Sequence, residues 1–447
     1  MTFHSVDLPY INDAAHYYAA LVDLPNAVWL DSGGMARYDI LSAAPHHSLI
    51  LNNNERDAFD WLRDELGEVV SAIDDAPFAG GALGYWSYDL AREMFSVPDI
   101  AADAERLPRM AIGMYDWALL IDHQQRRTRL VSHLRYPETS SLLQEIQPRL
   151  SHPPTSSREK FIVHAKVDSN FTRTGYERAY QQVQDYLQAG DCYQINLAQR
   201  FSARATGDAF GAYLQLRKLS PAPYSAFLNL PDVQILCASP ERFLSVKNGI
   251  VETKPIKGTR PRSSDVVMDR QLAAELAQHP KDRAENLMIV DLLRNDLGKS
   301  CVPGSVRVPR LFEVESYANV HHLVSTVQGK LASGCGALTV LRDCFPGGSI
   351  TGAPKQRAMH IIEQLEPNRR GVYCGAIGYV GFDGNMDTNI VIRTLVYGGG
   401  EIRCWAGGGI VADSQCAEEY QETLDKASAM LSVLRQFGGK YVAGKND

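Results

Sequence analysis

Strand-like and helix-like segments occur in blocks along this chain rather than in strict alternation. Five runs with strand character follow one another between residues 193 and 256. A helical block is predicted from about Arg262 to Leu297, and another helix from near Pro354 to Leu365. The last third returns to strands, predicted over 373–382, 388–397 and 402–406, and ends in a helix from about Ala417 to Phe437. This order favours an α+β fold over a doubly wound parallel sheet.

The main boundary is predicted between Tyr136 and Asn170, where the run 153–157 is rich in Pro, Ser and Thr. We therefore expect an N-terminal region over residues 1–150 and a larger region over residues 171–437. In the first region, the runs 116–122 and 128–132 predict a β-hairpin, and the glycine-bearing run 78–85 predicts a strand. In the second, Thr174 and Glu177 predict a capping box that opens a helix closed by Gly190.

Composition and charge exclude several classes of protein. The 447 residues are 45% hydrophobic and 22% charged, which is an ordinary globular composition. The net charge of -7 includes no basic block, so nucleic acid is not an expected partner. Eight scattered cysteines without a C-x-x-C pair indicate reduced thiols rather than disulfides or a zinc site. No apolar stretch approaches the ~18 residues of a membrane helix and no signal peptide is evident, so we expect a cytoplasmic protein without membrane contact.

Lys257 and Glu241 are the first candidate catalytic residues. Lys257 lies in the run Lys-Pro-Ile-Lys-Gly-Thr (254–259), and Glu241 lies in the turn Ser-Pro-Glu-Arg (239–242). A lysine and a glutamate at the ends of two adjacent strands can act as nucleophile and acid on one substrate. Most lysines are solvated, so only the rest of the chain can support this interpretation.

Two predicted helices carry acids three residues apart. Asp282 and Glu285 share a face of the first helix, and Glu419 and Glu422 share a face of the second. Taken singly, such faces are usually plain solvent-exposed surface. Taken together, they suggest a hard divalent cation such as Mg²⁺, held by one or two carboxylates from each helix and completed by substrate oxygens.

Two glycine-rich runs and three isolated polar residues are candidate binding positions. The run 347–355 fails the phosphate-loop pattern because Ala353 stands where the lysine should be, although a helix starting near Pro354 could bind a carboxylate. In the run 406–410, missing side chains would let a ligand approach the backbone. His322, Tyr379 and Arg393 lie in otherwise apolar runs, and Arg393 suits bidentate capture of a carboxylate.

Four motifs in fixed order resemble the chorismate-utilising enzyme family. They are Ser-Pro-Glu-Arg (239–242), Asp-Arg-Ala-Glu-Asn (282–286), Gly-Ser-Ile-Thr-Gly-Ala-Pro-Lys (348–355) and Ala-Gly-Gly-Gly-Ile-Val (406–411). The resemblance is dense from Thr174 to Leu434 and extends to the runs 30–33 and 80–85. It implies a large two-layered antiparallel β-sandwich flanked by helices, with the active site in the cleft between the halves.

Within the family, two positions sort the reactions. Members that add water carry a lysine base where this chain has Gln194, so an amine nucleophile is implied. Anthranilate synthases typically have alanine at the position of Lys257, and lysine there is typical of the aminodeoxychorismate synthases. An anthranilate-forming lyase and a non-catalytic chorismate or tryptophan sensor are the alternatives.

The resemblance also implies roles for individual residues. Lys257 would attack the chorismate ring at C2, protonated Glu241 would donate to the leaving 4-hydroxyl, and ammonia would then replace the lysine. Arg393 and Tyr379 would hold the enolpyruvyl carboxylate. The implied Mg²⁺ ligands are Glu285, Glu419 and Glu422. The implied substrate-binding residues are Gln194, Thr259, His322, Thr351, Tyr379, Arg393, Gly407, Gly408 and Lys426.

Two partners are implied besides chorismate. No cysteine lies in the nucleophile turn of an amidotransferase, so ammonia would come from a separate glutaminase subunit, and the product would feed 4-aminobenzoate and folate synthesis. Some relatives also bind tryptophan between the two halves. The residues in the matching segments are Ser32, Arg37, Tyr38, Pro223, Tyr224 and Ser225.

Overall fold

The computed structural model describes residues 3–52, 56–151, 158–317 and 320–440. Its strands are β1 (His4–Leu8), β2 (Val28–Asp31), β3 (Tyr38–Ser42), β4 (His47–Leu51), β5 (Gly81–Trp86), β6 (Met110–Tyr115), β7 (Ala118–Asp122), β8 (Arg127–Ser132), β9 (Ile162–Val163), β10 (Asp168–Ser169), β11 (Gln194–Thr206), β12 (Tyr224–Leu230), β13 (Val233–Ser239), β14 (Arg242–Lys247), β15 (Ile250–Thr253), β16 (Ile256–Pro261), β17 (Arg307–Ser316), β18 (Val320–Lys330), β19 (Gly352–Ala353), β20 (Ala376–Gly381), β21 (Met386–Ile390), β22 (Thr394–Gly398) and β23 (Glu401–Ile410).

The helices come from both regions of the chain. They are α1 (Ala15–Leu21), α2 (Ala58–Leu66), α3 (Ala91–Met94), α4 (Thr139–Ser151), α5 (Arg173–Gln188), α6 (Phe210–Leu219), α7 (Val266–Gln278), α8 (Pro280–Gly298), α9 (Ala337–Cys344), α10 (Lys355–Leu365) and α11 (Cys416–Gln436), with 3₁₀ turns at Tyr88–Leu90 and Gly348–Ile350. The Pro/Ser/Thr-rich run 153–157, where the region boundary was predicted, lies outside the described residues.

The strands form two large sheets. The first has thirteen strands in the order β1-β8-β7-β3-β2-β12-β13-β22-β23-β11-β10, with β9 and β19 also paired to β11. The second has ten strands in the order β16-β18-β15-β14-β21-β20-β5-β6-β4, with β17 also paired to β18. Each named strand pair is antiparallel.

Both sheets draw neighbouring strands from the two regions of the chain. In the thirteen-stranded sheet β2 pairs with β12, and in the ten-stranded sheet β5 pairs with β20. The largest apolar cluster contains side chains of both sheets, including Val28 and Ile235 from the first and Leu49 and Tyr85 from the second. The sheets therefore pack against each other over a shared core, which confirms the predicted two-layered α+β architecture.

Two details of the predicted elements were wrong. The N-cap of α5 is Thr172, whose Oγ1 accepts a hydrogen bond from the Gly175 amide, and not Thr174, which already lies inside the helix. The run 388–397 is not one strand, because β21 ends at Ile390 and β22 begins at Thr394. The residues between them carry the chain from the ten-stranded sheet to the thirteen-stranded sheet.

Two other expectations concern thiols and membranes. All eight cysteines are free, in agreement with the prediction of reduced thiols. Among the described residues, no helix has the length and apolar character required to span a membrane.

Candidate active site

A cavity of about 610 Å³ lies where the two sheets meet. Its wall combines residues of β11 and β23 from the first sheet with residues of β16 and β18 from the second, and α8 and α11 complete it. Ten of the predicted site residues line this one cavity. They are Glu241, Lys257, Thr259, Glu285, His322, Arg393, Gly407, Glu419, Glu422 and Lys426.

Two crossings of the chain between the sheets lie side by side at this cavity. Glu241 lies on the first, between β13 and β14, and Arg393 lies on the second, between β21 and β22. The amide of Ile390 donates to the carbonyl of Glu241 across 3.0 Å, and the hydroxyl of Ser239 donates to the carbonyl of Ile390 across 2.6 Å. These hydrogen bonds hold the segment of Glu241 next to the segment that leads to Arg393.

Lys257 enters the cavity from a bulge in β16. The register with β18 shifts between Ile256 and Thr259, and Gly258 has a φ of +80°, a conformation that favours glycine. Burial lowers the pKa of the Lys257 amine, an effect that the carboxylates of Glu285 and Glu241 only partly oppose. Within the described residues, its Nζ forms no ion pair. Lys257 therefore has the environment of a lysine that loses its proton more readily than usual.

Glu241 is 6% exposed and accepts a hydrogen bond from Ser349 Oγ at 2.9 Å. Burial raises the pKa of the Glu241 carboxyl, and the Ser349 hydroxyl, the Lys257 amine and the Ile256 amide act in the opposite direction. A lysine with a lowered pKa and a glutamate with a raised pKa thus face one cavity. Such a pair can provide a nucleophile and a proton donor near neutral pH.

His322 is held neutral beside these groups. Its Nδ1 lies 2.9 Å from Thr259 Oγ1, and burial, aided by the positive charge of Arg393, lowers the pKa of His322 to about 4. At neutral pH the ring can therefore donate or accept a hydrogen bond without adding charge to the cavity.

Arg393 is a partly buried cation that lines the cavity. Its φ is +53°, because the chain turns sharply where it crosses between the sheets. Burial lowers the pKa of Arg393, and within the described ranges no carboxylate forms an ion pair with its guanidinium. A guanidinium in this situation is suited to a carboxylate supplied by a ligand. Tyr373 lines the same wall, with its ring stacked on Trp405 at a centroid distance of 6.0 Å.

Three carboxylates line the end of the cavity formed by α8 and α11. Burial raises the pKa of Glu285 and of Glu419. Burial also opposes ionisation of Glu422, but the Lys426 ammonium, 2.5 Å away, outweighs it and lowers the pKa of Glu422. Lys426 donates a further hydrogen bond to the Gly407 carbonyl at 3.0 Å.

The donor chemistry of this end fits Mg²⁺. Among the described residues, no three His, Cys, Asp or Glu side chains are close enough together to form a ready metal cage. Mg²⁺ does not need one, since it usually takes one or two protein carboxylates and completes its octahedron with waters and substrate oxygens. Glu419 Oε2 is buried and has no hydrogen-bond partner in the part of the chain that the structure describes, as expected of an oxygen available to a cation.

Four predicted substrate-binding residues do not line this cavity. Thr351 is fully buried, and its carbonyl accepts from the Asn196 amide, so it supports the wall from behind. Gln194 is fully buried next to Gly409, and Gly408 packs against Glu419 and Glu422. Tyr379 was placed with Arg393, but it lies on β20 and lines a second cavity instead.

Sequence reasoning missed several residues of the wall. Tyr373, and not Tyr379, is the tyrosine that shares the cavity with Arg393. Asn196, Ser349 and Trp405 also line it. Asn196 Oδ1 is buried and lacks a hydrogen-bond partner among the residues described. The predicted carboxylate site at the start of α10 is absent from the described cavity wall, because the wall uses the preceding turn with Ser349.

The second cavity, of about 200 Å³, lies between β2, β12, β20 and β21. Five of the six residues predicted for a tryptophan pocket line it: Arg37, Tyr38, Pro223, Tyr224 and Ser225. The sixth, Ser32, is buried nearby, and its amide donates to Asp39. Burial raises the pKa of Tyr38 and of Tyr224 to about 12 in each case, so both phenols stay protonated.

Comparison with known proteins agrees with this geometry. Residues 25–432 match the family described as chorismate binding enzyme. The chain belongs to this family. This chorismate binding enzyme is 47% identical over 450 residues to aminodeoxychorismate synthase component 1 of Salmonella typhimurium strain LT2, covering 96% of this chain and 98% of the relative. The Escherichia coli K12 protein of the same name is 47% identical over 452 residues, with the same coverage.

A solved structure supports the fold as well. Anthranilate synthase component I from Streptococcus pneumoniae TIGR4 superposes with a TM-score of 0.79 at 34% sequence identity, covering 89% of this chain and 92% of that one. This chorismate binding enzyme therefore has the fold of anthranilate synthase component I, as the motifs implied.

Proposed function

We propose that this protein is component 1 of an aminodeoxychorismate synthase and replaces the 4-hydroxyl of chorismate with an amino group. The observation that carries the proposal is the placement of Lys257 and Glu241 on one cavity wall with oppositely shifted pKa values. The names of the Salmonella and Escherichia relatives support it.

The reaction has two displacement steps. The uncharged Nζ of Lys257 forms a bond to C2 of the ring, the double bonds shift, and the C4–oxygen bond breaks. Glu241 gives its proton to the departing oxygen, which leaves as water. Ammonia then forms a bond to C4, the double bonds shift back, and the C2–nitrogen bond breaks to release Lys257 as the uncharged amine. A proton of the new C4 ammonium group returns to Glu241, which restores its protonated form. Dividing one difficult displacement into two easier ones is the usual gain from a covalent intermediate.

The other wall residues orient the substrate in this proposal. Arg393 pairs with the enolpyruvyl carboxylate, with Tyr373 beside it, and His322 offers a neutral hydrogen bond. Glu285, Glu419 and Glu422 are the proposed Mg²⁺ ligands, with Lys426 offsetting their charge. The bound metal would neutralise the ring carboxylate, so that a dianionic substrate is accepted next to three acids.

We further propose that ammonia comes from a separate glutaminase component, since the eight cysteines of this chain lack an amidotransferase motif. The reaction is then a group transfer that supplies 4-aminobenzoate synthesis. The second cavity is a candidate tryptophan site because three tyrosines and two arginines line a pocket between strands of the two regions.

The test is product identification from the purified chain with chorismate, Mg²⁺ and an ammonium salt. We expect 4-amino-4-deoxychorismate by mass spectrometry, and no product with glutamine alone. Anthranilate as the main product would instead support the anthranilate synthase alternative, and no turnover would support a binding protein.

The covalent step has its own test. Lys257→Ala should lose most activity and form no adduct with chorismate. Lys254→Ala is the matched control, because Lys254 lies on the same segment but pairs with Glu315 at 2.5 Å outside the cavity wall. If Lys257→Ala gains the same mass as the wild-type protein on incubation with chorismate, the nucleophile lies elsewhere.

A further inference from the structure

A buried arginine behind the cavity wall joins three segments of the fold. Arg370 is 1% exposed, and its Nε and Nη2 donate to the two carboxylate oxygens of Glu366 at 3.0 and 2.7 Å. Its Nη1 donates to the carbonyl of Ile350 at 2.8 Å, and its Nη2 donates to the carbonyl of Asn196 at 2.7 Å. Glu366 also accepts from the amide of Ala198 at 2.9 Å.

The two carbonyls belong to residues that line the cavity. Ile350 follows Ser349, whose hydroxyl donates to Glu241, and Asn196 lies on β11. The turn Gly348–Ile350 is short and contains no side-chain cap of its own. Backbone pairing with β11 begins only after the turn, where the Asn196 amide donates to the Thr351 carbonyl and β19 follows. The guanidinium of Arg370 adds the link between β11 and the turn itself, through the Ile350 carbonyl.

We propose that the Arg370–Glu366 pair is a positioning unit that holds the Ser349 turn against β11 and so sets the orientation of Glu241. This inference rests on the proposed function, in which Glu241 is the proton donor. Arg370 itself does not line the cavity, and it acts through Ser349.

A second buried pair lies nearby and provides the comparison, because Glu363 is in the last turn of α10 and Glu366 directly follows that helix. Arg92 and Glu363 are each about as buried, and Arg92 donates to both carboxylate oxygens of Glu363 at 2.6 and 2.9 Å. Arg92 also donates to the carbonyl of Pro98 and forms longer ion pairs with Asp89 and Asp99, at 3.7 and 3.8 Å. Glu363 also accepts from the amides of Ile100 and Ala101. None of these partners lines the active-site cavity.

Lysine cannot replace arginine at either place. The planar guanidinium offers five donors in a rigid fork, whereas an ammonium is a single point charge on a flexible stem. Arg370→Lys keeps the charge but cannot reach both oxygens of Glu366 and two separate carbonyls at once. Arg92→Lys loses the same bidentate geometry without consequences for Ser349.

The experiment compares Arg370→Lys with Arg92→Lys in the intact chain, using chorismate, Mg²⁺ and ammonium. Both variants should show lower Tm values. Arg370→Lys should also lower kcat by about 10- to 100-fold, the usual effect of a small misplacement of a catalytic group, with little change in KM for chorismate. Equal kcat losses in the two variants, or none in either, would overturn the proposal.

A double-mutant cycle with Ser349→Ala separates positioning from general damage. If Arg370 acts through Ser349, then Arg370→Lys should cause little further loss of kcat in the Ser349→Ala background. Fully additive losses would contradict this. Should Arg370→Lys fail to fold, Glu366→Gln against Glu363→Gln makes the same comparison. If the wild-type protein shows no turnover, both the proposed function and this inference are refuted. If the wild-type protein is active but the two compared variants lose the same fraction of kcat, only the positioning role is refuted.

Discussion

His322 and Thr259 face each other across β16 and β18, with Nδ1 and Oγ1 2.9 Å apart. Because burial lowers the pKa of His322 to about 4, we expect its ring to stay neutral throughout the range from about pH 5 to 8, where histidine ordinarily titrates. His123 is the internal control, since its hydrogen bond to Asp39 raises its pKa. NMR titration of the imidazole C–H signals measures both. A His322 signal with a midpoint above that of His123 would contradict the expectation.

Gly258→Ala should disturb the position of Lys257. A Cβ at Gly258 would lie 2.7 Å from Asp282 Cγ and 2.9 Å from Leu276 Cδ1, and the φ of +80° adds backbone strain. Gly249→Ala is the matched control. Gly249 has a φ of +75°, and no described atom lies within 4 Å of the added Cβ. We expect a loss of about 1 to 2 kcal/mol in the free energy of unfolding for Gly249→Ala, from backbone strain alone. Gly258→Ala should lose more stability and most activity. Equal effects of the two substitutions would mean that the close contacts with α7 and α8 are irrelevant.

Glu241→Gln and Glu422→Gln should change stability in opposite directions as pH rises. The pKa of Glu241 is raised by burial, so its ionised form destabilises the folded state, and the neutral amide should raise Tm at neutral pH but not at acid pH. Glu422 has a lowered pKa: despite burial, Lys426 favours its ionised form, so Glu422→Gln should lower Tm at neutral pH and lose this effect as pH falls. Thermal unfolding over a pH series in metal-free buffer tests this. Parallel Tm curves for the two variants would be inconsistent with it.

The second cavity provides a prediction about ligand binding. L-Tryptophan should raise the Tm of the wild-type protein, because a ligand that binds only the folded state stabilises it. Ala36→Trp should abolish this shift, since Ala36 is partly exposed at the cavity wall and an indole there would fill the space. Amination of chorismate by Ala36→Trp serves as the control for correct folding. A tryptophan-dependent shift that persists in this variant would place the binding elsewhere.

The structure brings together residues that the motifs singled out. Lys257, Glu241, Glu285 and the acids of α11 are separated in sequence, yet all line one cavity. The family resemblance pointed to these residues, since periodicity alone supports only an α+β fold. The locations of helices α7, α8 and α11 also agree with the apolar spacing of their sequences.

The errors arise where tertiary structure decides between similar local choices. Tyr373 and Tyr379 lie in one segment, but Tyr373 precedes β20 at the crossing region, whereas Tyr379 lies within the strand and faces the second cavity. The sequence did not indicate the break between β21 and β22 at residues 391–393, because the run is apolar on both sides of it. The break exists because the chain passes from one sheet to the other there. Likewise, nothing local indicates that Arg370 bridges Ile350 and Asn196.

The separation in sequence between paired strands also bears on how the chain is made. Strand β11 ends at Thr206, but its main neighbour, β23, ends only at Ile410. While the chain between them is synthesised, β11 must carry unpaired hydrogen-bonding groups, the situation in which strands pair with the wrong molecule. We therefore expect shortened forms that stop before β23 to aggregate rather than to survive as independent fragments.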